Sequence, residues 1–512
     1  MHQRKGVLVR PVERLSTEQI KMIDQASMAI FADPGIICYS DIAAGYFSDN
    51  GAAVVKNSGD GGTGWIIKIP EDMVRKVVTT APSVVYLGAR KEENRLILDA
   101  HEPRVRFVSG SETNVWLESV VRGYVGEDDP EDKLRLVRFI RRRGTVADLT
   151  RAAHVAEHLE HLDSFIRTVN IQDEDIEEST KDVNKFFACL NNMTKHVMGG
   201  LTDVSQLDNV IRMAEIIAGG NEALRGNPLV SFIACVCKSP LQMVADSAEK
   251  MIEVAKRGFP VVISSSPQGG STAPVDEAGM IAQINAEILS GVVLAQLVKE
   301  GAPVLYGSVP TRARMEDLHD MYGAPEFNHY NVDCAQMARF YGLPCYSTAG
   351  IADTCVPGMQ ATVEKLLSHI YVPMSGAHYV HYAFGLLERT NTFSLEQAVL
   401  DDAHIGISKR LLAEPRVGPD EITEALKQIR EVMSTSHRLF ARYVRKKLHS
   451  GEIYPGYPFA NDERDEVLLG AHERVKQLLE KPVPHLPQDV IEKIYQKVPG
   501  IVTRLKQEAK SE

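Results

Sequence analysis

The chain has 512 residues and a formal net charge of −11. This length suits two or three domains, or one large barrel with additions. With 44% hydrophobic and 24% charged residues, the composition is that of an ordinary globular protein. The negative charge argues against a general binder of nucleic acid or of anionic membranes, because both attract basic surfaces. We therefore expect no nucleic-acid partner and no membrane partner.

The termini and the cysteines bear on location and metal content. The basic N-terminus has an apolar stretch too short for a signal peptide, and no continuous apolar run reaches the length of a membrane span. The seven cysteines are scattered, without the spacing of a zinc site. We expect a cytoplasmic protein with free thiols and no protein-bound metal.

Residues 1–104 are predicted to form an N-terminal α/β extension. A helix is predicted over 15–33, because Ser16 is a good N-cap, the apolar residues have helical spacing and Pro34 should end the helix. A second helix is predicted within 69–82, and Pro70 lies near its start.

Residues 105–393 alternate between short strand-like runs and longer amphipathic stretches. The predicted strands are 105–110, 163–169, 195–200, 229–237, 260–266, 303–309, 343–350 and 377–385. The predicted helices are 132–142, 149–161, 179–193, 208–218, 241–257, 277–299, 332–341 and 358–370. Such alternation implies parallel strands with right-handed crossovers.

Eight such units are what a (β/α)₈ TIM barrel requires, and this α/β fold is the prediction for 105–393. An open doubly wound sheet is the alternative. It is disfavoured by the count of eight and by the lack of a GxGxxG motif after the first strand. Residues 394–512 are predicted to form a C-terminal helical segment.

In such a barrel the active site lies in the loops that follow the strands. These loops are polar but mostly uncharged, and Gly269 and Gly270 would let backbone pass close to a ligand. A phosphate held at the following helix start is a weaker interpretation of the same loop. Lys238 could form a Schiff base, although a charge at the rim is the more ordinary role.

The eighth strand has an unusual density of aromatic residues. One alternation of its side chains gives His378, Val380, Tyr382 and Phe384, and the other gives Tyr379, His381 and Ala383. Aromatic residues that face a cavity suit a cation, especially a quaternary ammonium. Ordinary packing between strand and helix is the alternative.

Several long blocks resemble the trimethylamine methyltransferase superfamily, the large corrinoid-protein methyltransferases of anaerobes. They are IPEDMVRKVVTTAPSVVYLGAR, PQGGSTAPVDEAGMIAQINAEILSGVVLAQLVKEGAPVLYGSVP, YGLPCYSTAGIADTCVPGMQATVEKLL and SLEQAVLDDAHIGI. The resemblance runs nearly end to end. It implies a (β/α)₈ barrel that passes a methyl group from a methylated amine to the cobalt of a corrinoid (cobalamin) carried by a small partner protein. It also implies a homo-oligomer.

One departure from the family pattern indicates the branch. The trimethylamine enzymes carry pyrrolysine within the barrel, whereas all 512 residues here are standard amino acids. The chain therefore resembles the non-pyrrolysine branch, whose members use quaternary amines such as glycine betaine, proline betaine or carnitine. A quaternary ammonium leaves as a neutral amine, so direct displacement needs no protein nucleophile. Because the positive charge disappears along the reaction, a loose aromatic cage fits better than a ring of carboxylates.

These considerations give a set of expected binding residues. Tyr346, His378, Tyr382 and Phe384 are expected to line the ammonium side, and Gln268 with the amides of Gly269 and Gly270 to hold a substrate carboxylate or face the corrinoid. Arg312 or Lys238 is a candidate partner for the carboxylate, and Asn170, Tyr306, Asp353 and Glu388 are further pocket candidates. Two alternatives remain: a methyltransferase for a sulfonium or pterin donor, and a non-catalytic barrel that binds a betaine.

Overall fold

The computed structural model describes residues 3–59, 62–125, 133–436, 439–460 and 465–508. The elements before residue 104 are β1 Val7–Leu8, α1 Thr17–Ala32, β2 Ile36–Cys38, α2 Asp41–Asp49, β3 Ala53–Lys56, β4 Trp65–Lys68, α3 Glu71–Val78, β5 Val84–Leu87 and β6 Leu96–Asp99. Both predicted helices are confirmed. Ser16 caps α1 through a capping box with Gln19, and α3 begins directly after Pro70.

The middle of the chain carries most of the strands. Its elements are β7 Arg104–Phe107, β8 Val115–Val125, β9 Lys133–Arg143, α4 Val146–His158, β10 Phe165–Ile166, α5 Lys181–Asn192, β11 Val197–Gly199, α6 Leu207–Ala218, α7 Asn221–Gly226, β12 Val230–Cys235, β13 Cys237–Lys238, β14 Gln242–Met243, α8 Ala245–Arg257, β15 Val261–Ser265, β16 Gln268–Gly269, α9 Glu277–Val298, β17 Val304–Ser308, β18 Thr311–Ala313, β19 Asp320–Met321, α10 Pro325–Phe340, β20 Cys345–Thr348, α11 Met359–Tyr371, β21 Tyr379–His381, β22 Leu386–Leu387 and β23 Thr392–Phe393.

The last part of the chain is helical within the described residues. Its elements are α12 Leu395–Leu412, α13 Pro419–Met433, α14 Ala441–His449, α15 Val467–Leu479, α16 Gln488–Lys497 and α17 Thr503–Glu508. Strand β14 pairs with β2 of the N-terminal region, and β13 pairs with β14. The domain boundaries at 104 and 393 remain predictions.

The α/β fold is confirmed, and it is built around a curled nine-stranded sheet. The strand order is β1-β7-β21-β20-β17-β15-β12-β11-β10, and every pair from β7 to β10 is parallel. A strand lies in each of the eight predicted runs. The sheet curls until Val108, after β7, forms a parallel bridge with Ser164, before β10. The amide of Asp163 also donates to the carbonyl of Phe107 at 2.8 Å.

The β5–β6 hairpin covers the amino ends of the parallel strands. Its side chains Val85, Leu87, Leu96 and Leu98 pack into the same apolar cluster as the inner faces of the strands. His196 Nδ1 donates to the carbonyl of Gly88 at 2.7 Å, which ties the hairpin to the start of β11. A ligand inside the curled sheet must therefore enter from the carboxyl ends of the strands.

The helix predicted over 132–142 is wrong. Residues Lys133–Arg143 form β9, paired antiparallel with β8 from Val115 opposite Arg143 to Val125 opposite Lys133, and Asp132 lies outside the described residues. The extended form is favoured over a helix because β8 supplies hydrogen-bond partners for its backbone. The exposure of the side chains also alternates with period two along β9, as in a strand with one exposed face. Leu136, Arg138 and Ile140 are exposed, whereas Val137 and Phe139 are half-buried.

Helix α9 qualifies the expectation about membrane spans. It is long and apolar enough to cross a membrane by length and composition, the one such helix among the described residues, but 89% of its apolar window is buried within the fold. Its apolar residues pack against β15 and β17 and the N-terminal helices. The helix is therefore a core element of this fold.

Candidate active site

The inside of the curled sheet is arranged in layers. The lower layer takes one side chain from each parallel strand: Val108, Ile166, Met198, Ile233, Val262, Leu305, Tyr346 and Tyr379. Alternate residues of a strand share a face, so residues two positions further on face the same lumen. These upper residues are Gly110, Thr168, Gly200, Cys235, Ser264, Gly307, Thr348 and His381. Seven of the eight are small, and Cys235 is exposed, so the upper layer is open at Cys235.

One wall of the lumen is aromatic. The ring of Tyr346 lies 5.7 Å from Tyr379 and 3.9 Å from His381 between centroids, and both pairs are stacked. Tyr382 lies 3.8 Å from His381. Its φ of +67° breaks the alternation of the strand, which brings two consecutive side chains to the lumen. A Cβ on Gly110 would approach the Tyr382 ring to 2.5 Å, so this position requires glycine.

His381 is neutral and presents a lone pair. The Thr348 hydroxyl donates to the carbonyl of Ser308 at 2.9 Å, so the 2.6 Å contact between Thr348 and His381 uses Nε2–H as donor. Burial holds the pKa of His381 well below its usual value. Its Nδ1, and the hydroxyl of Thr168 in the same layer, are buried without a hydrogen-bond partner among the residues that the structure describes. A ligand in the lumen could supply partners for both atoms.

Charged groups gather at the mouth, above the lumen. The carboxylate of Asp320 accepts a hydrogen bond of 2.7 Å from Gln268 Nε2. Burial raises the pKa of Asp320, and the charge of Arg389 opposes that shift. The amide of Tyr322 donates to Asp353 at 2.9 Å, and the charge of Asp320 adds to the burial that raises the pKa of the Tyr322 hydroxyl.

Arg389 sits in a strained segment at the rim. Glu388, Arg389 and Thr390 have φ values of +49°, +55° and +77°, a sparsely populated region for side-chain-bearing residues. The carboxylate of Glu388 holds the segment in place. It pairs with the guanidinium of Arg141 on β9 at 2.6 Å and accepts a hydrogen bond from the Thr392 hydroxyl at 2.5 Å. The Nε of Arg389 is buried and has no hydrogen-bond partner within the described ranges. A guanidinium held this way is a candidate partner for an anionic group of the ligand.

Of the expected residues, the structure brings Tyr346 and Tyr382 together in the lumen, with Gln268 and Asp353 near the mouth. Three others face away from it. His378 accepts a hydrogen bond from the amide of Cys345 at 2.9 Å, and the Tyr306 hydroxyl donates to Asn285 of α9 at 3.0 Å. Phe384 packs in the core between sheet and helices.

Of the remaining expected residues, two donate hydrogen bonds to neighbouring side chains and one is exposed to solvent. Asn170 donates to Asn114 at 3.0 Å, and Arg312 donates to the sulfur of Met321 at 3.0 Å. Lys238 is exposed on the β13–β14 hairpin.

The Gly269–Gly270 loop is closed by its own backbone. The amide of Gly270 donates to the carbonyl of Ala273 at 2.9 Å, and the amides of Ser271 and Thr272 donate to the carbonyl of Gln268 at 3.0 Å. The ring of Tyr330 limits Gly269 instead, because a Cβ there would lie 3.0 Å from the tyrosine oxygen. Gly270 therefore has no free amide for an anion, and its φ of +90° favours glycine, whereas close packing favours glycine at Gly269.

A cluster of residues of metal-ligating types lies where α11 meets α12. Atoms of His369, Asp401 and His404 come within 4.8 Å of one another, the one such group among the described residues. However, Lys365 Nζ lies 3.1 Å from one oxygen of Asp401, and Gln397 donates to the other at 2.9 Å. Lys365 already provides the positive charge that neutralises this buried carboxylate.

Sequence reasoning missed several residues of the site. His381 and Tyr379 belong to the alternation of the eighth strand that supplies none of the expected binding residues. Five further residues of the candidate site are also outside the expected set: Cys235, Thr168, Tyr322, Asp320 and Arg389. Counting every second residue from Val108 in the first strand, and from the equivalent residue of each other strand, would have indicated which side chains face the lumen. The turn at Tyr382 and the left-handed segment at Arg389 leave no such signal in the sequence.

Comparisons with known proteins identify the family of this chain. The profile of the family described as trimethylamine methyltransferase (MTTB) matches residues 4–450. The trimethylamine methyltransferase MttB of Desulfitobacterium hafniense (strain DSM 10664 / DCB-2) is 30% identical over 387 residues, which cover 76% of this chain and 72% of that protein. MttB1 of Methanosarcina mazei is 29% identical over 91% of this chain and 90% of its own length.

A further relative carries a different substrate in its name. The glycine betaine methyltransferase of Desulfitobacterium hafniense (strain Y51) is 26% identical over 487 residues, which cover 94% of this chain and 95% of that protein. With the family profile spanning most of the sequence and relatives aligned along almost all of it, this chain belongs to the trimethylamine methyltransferase (MTTB) family of methyltransferases.

Proposed function

We propose that this chain moves a methyl group from a quaternary ammonium compound of the glycine betaine type to Co(I) of a corrinoid carried by a partner protein. We also propose that the curled sheet, joined at Val108 and Ser164, is a closed (β/α)₈ barrel. The observation that carries the proposal is the lumen at the carboxyl ends of the strands, which is aromatic, uncharged and roofed by small residues.

The electrostatics of the lumen suit a cation that loses its charge. The half-buried Tyr382 offers its ring to the lumen, and such a ring attracts a quaternary ammonium by about 0.5–2 kcal/mol. Tyr346 and Tyr379 are buried and complete the aromatic wall beneath His381. None of the sixteen residues that form the two described layers carries a carboxylate. A full ion pair would stabilise the substrate more than the transition state, whereas rings hold the cation and lose little as its charge fades.

Arg389 supports a substrate that also carries a carboxylate. Its buried Nε needs an acceptor, and the guanidinium lies close enough to Asp320 for its charge to oppose the burial that raises the pKa of that group. A betaine placed with its methyl groups against the tyrosines would point its carboxylate toward the mouth. Charge-assisted hydrogen bonds to Arg389 would then fix its orientation.

The reaction asks little acid–base chemistry of the protein. The bond between a methyl carbon and the ammonium nitrogen breaks, its electron pair stays on nitrogen, and the acceptor's electron pair forms the new bond to carbon. A bound corrinoid supplies that nucleophile when its protein docks at the mouth. The residues of this chain bind the ammonium, align one methyl group with the mouth and exclude water.

The absence of pyrrolysine from the sequence favours a quaternary over a tertiary amine. Trimethylamine has a poor leaving group unless it is activated, and the lumen residues include no acid placed to protonate it. His381 is neutral, and its Nε2–H is already donated to Thr348.

The experiment is an anoxic methyl-transfer assay. The purified protein is mixed with free cob(I)alamin, and glycine betaine, proline betaine, carnitine, trimethylamine or dimethylsulfoniopropionate is added separately. We expect loss of the Co(I) absorbance with a quaternary amine and none with trimethylamine. Transfer from the sulfonium alone would replace the proposal with a sulfonium methyltransferase. Binding of a betaine without transfer, also with an added corrinoid protein, would indicate a non-catalytic barrel.

A further inference from the structure

The mouth of the curled sheet holds two opposite charges that are not paired with each other. Asp320, on β19, and Arg389, in the left-handed segment at the rim, are both half-buried. The charge of Arg389 acts on the Asp320 carboxyl, so the two groups are neighbours. No ion pair joins their side chains within the described residues, and the buried Nε of Arg389 has no hydrogen-bond partner there. Each of these partly desolvated charges would be stabilised by a ligand of complementary charge.

The Asp320 carboxylate is only partly used by the fold. Gln268 Nε2 donates to it at 2.7 Å, the one hydrogen bond to this carboxylate in the part of the chain that the structure describes. The neighbouring Asp353 differs, because the amides of Tyr322 and Gly323 donate to its two oxygens at 2.9 and 3.1 Å. Of the two acids, Asp320 is therefore the one whose charge is not already used to hold backbone.

The same carboxylate lies beside the aromatic end of the lumen. Tyr382 packs against the apolar cluster that contains Tyr322. Burial raises the pKa of both tyrosine hydroxyls, and the charge of Asp320 adds to the shift of each. Asp320 and Tyr382 also keep part of their surface exposed, so one ligand can contact both. The charge of Asp320 thus reaches the space beside the Tyr382 ring, where the ammonium is proposed to bind.

We propose that Asp320 is the counter-charge for the ammonium group, and that Asp320 and Arg389 together select a zwitterion, a quaternary ammonium joined to a carboxylate by a short spacer. This inference rests on the proposed methyl transfer and specifies the substrate class of the same site. A simple cation would leave Arg389 without a partner, and a simple anion would be repelled by Asp320.

Asp320 should act on substrate binding more than on the chemical step. Its attraction for the ammonium fades as the positive charge disappears, so it stabilises the bound substrate more than the transition state. Asp320→Asn should therefore raise the KM for glycine betaine by about tenfold, while kcat stays the same or rises. A variant that lowers kcat and leaves KM unchanged would contradict this role.

The test is calorimetric binding of three ligands to the wild-type protein and to Asp320→Asn. They are glycine betaine, tetramethylammonium and 3,3-dimethylbutanoate, a carboxylate with a neutral carbon in place of the ammonium nitrogen. We expect the Kd of the first two to rise by about tenfold, because both lose the counter-charge. The Kd of the third should fall, because the substitution removes a repulsion between two carboxylates. Asparagine can still accept the hydrogen bond from Gln268, so the fold should be retained.

Asp317→Asn is the matched control. Asp317 lies in the same connection between β18 and β19, but its carboxylate already accepts a hydrogen bond of 2.9 Å from Arg314 Nε. All three affinities should therefore stay at their wild-type values.

The outcomes separate this inference from the proposed function. A wild-type protein that binds neither glycine betaine nor tetramethylammonium would overturn both. Binding of the two cations by the wild type, with affinities that Asp320→Asn leaves unchanged or lowers alike for all three ligands, would overturn the role of Asp320 alone. Opposite shifts for the two cations and for the neutral analogue would support it.

Discussion

Substituting Arg389 at the rim tests the contact to the substrate carboxylate independently of the contact to its ammonium group. Arg389→Leu should raise the Kd for glycine betaine by about 10- to 100-fold, the value of a charge-assisted hydrogen bond of roughly 1.5–3 kcal/mol. The Kd for tetramethylammonium, which lacks a carboxylate, should change little. Calorimetric titration of both ligands checks this, with Arg138→Leu on the outer face of β9 as control. Equal losses for the two ligands would show that Arg389 shapes the pocket instead of binding the carboxylate.

Gly110 should affect ligand binding because it leaves space for the ring of Tyr382. Gly110→Ala would push against Tyr382, since its new Cβ would meet the ring at 2.5 Å. We expect at least a tenfold loss of ammonium affinity with a retained fold. The same substitution in a Tyr382→Ala background should cost little more, because the two residues act together. Additive losses in this double-mutant cycle would contradict the contact.

At this scale the sequence led to part of the site. The aromatic density of the eighth strand drew attention to it, and Tyr346 and Tyr382 both lie in the lumen, although their role in binding stays a prediction. Strict alternation then grouped Tyr382 with His378 and Phe384, which face outward. The rule failed because the chain turns at Tyr382 with positive φ, and sequence patterns do not encode a local change of that kind.

Helices α11 and α12 are joined by a buried ion pair. Lys365 of α11 and Asp401 of α12 are both fully buried, and Lys365 also donates to the carbonyls of Gly350 and Leu386. Lys365→Met should lower the free energy of unfolding by about 3–5 kcal/mol, because it leaves a buried carboxylate unpaired. Urea unfolding measures this. Lys365→Met/Asp401→Asn should recover part of the loss, and an unchanged stability in the single variant would contradict the pairing.

The elements themselves were largely predictable. Eight strands and most helices follow from apolar periodicity, and Ser16 and Pro34 fix the ends of α1. Residues 133–143 were misassigned because the mixture of apolar and basic residues also fits a helix face. Only the partner strand β8, from another part of the sequence, makes the extended form the better one.

Several neutral histidines are buried in different parts of the molecule, and they make the free energy of unfolding depend on pH. Burial lowers the pKa of His196, His378 and His404 to about 4. Between about pH 6.5 and 4 the unfolded chain binds protons at these residues that the folded chain refuses, so stability falls as the pH falls. Urea unfolding at pH 7, 6 and 5 should show this decline. His196→Gln should flatten it, and a stability that is constant from pH 7 to 5 would contradict the assignment.

The central claim is that the lumen binds a quaternary ammonium through its charge. The most direct measurement is calorimetric binding of glycine betaine and of 3,3-dimethylbutanoate, which has a neutral carbon in place of the ammonium nitrogen, to the wild-type protein and to Tyr382→Ala. The account predicts tighter binding of the betaine by the wild type, and a loss of that preference in Tyr382→Ala. Equal affinities for the two ligands, or a preference that survives the removal of the Tyr382 ring, would contradict it.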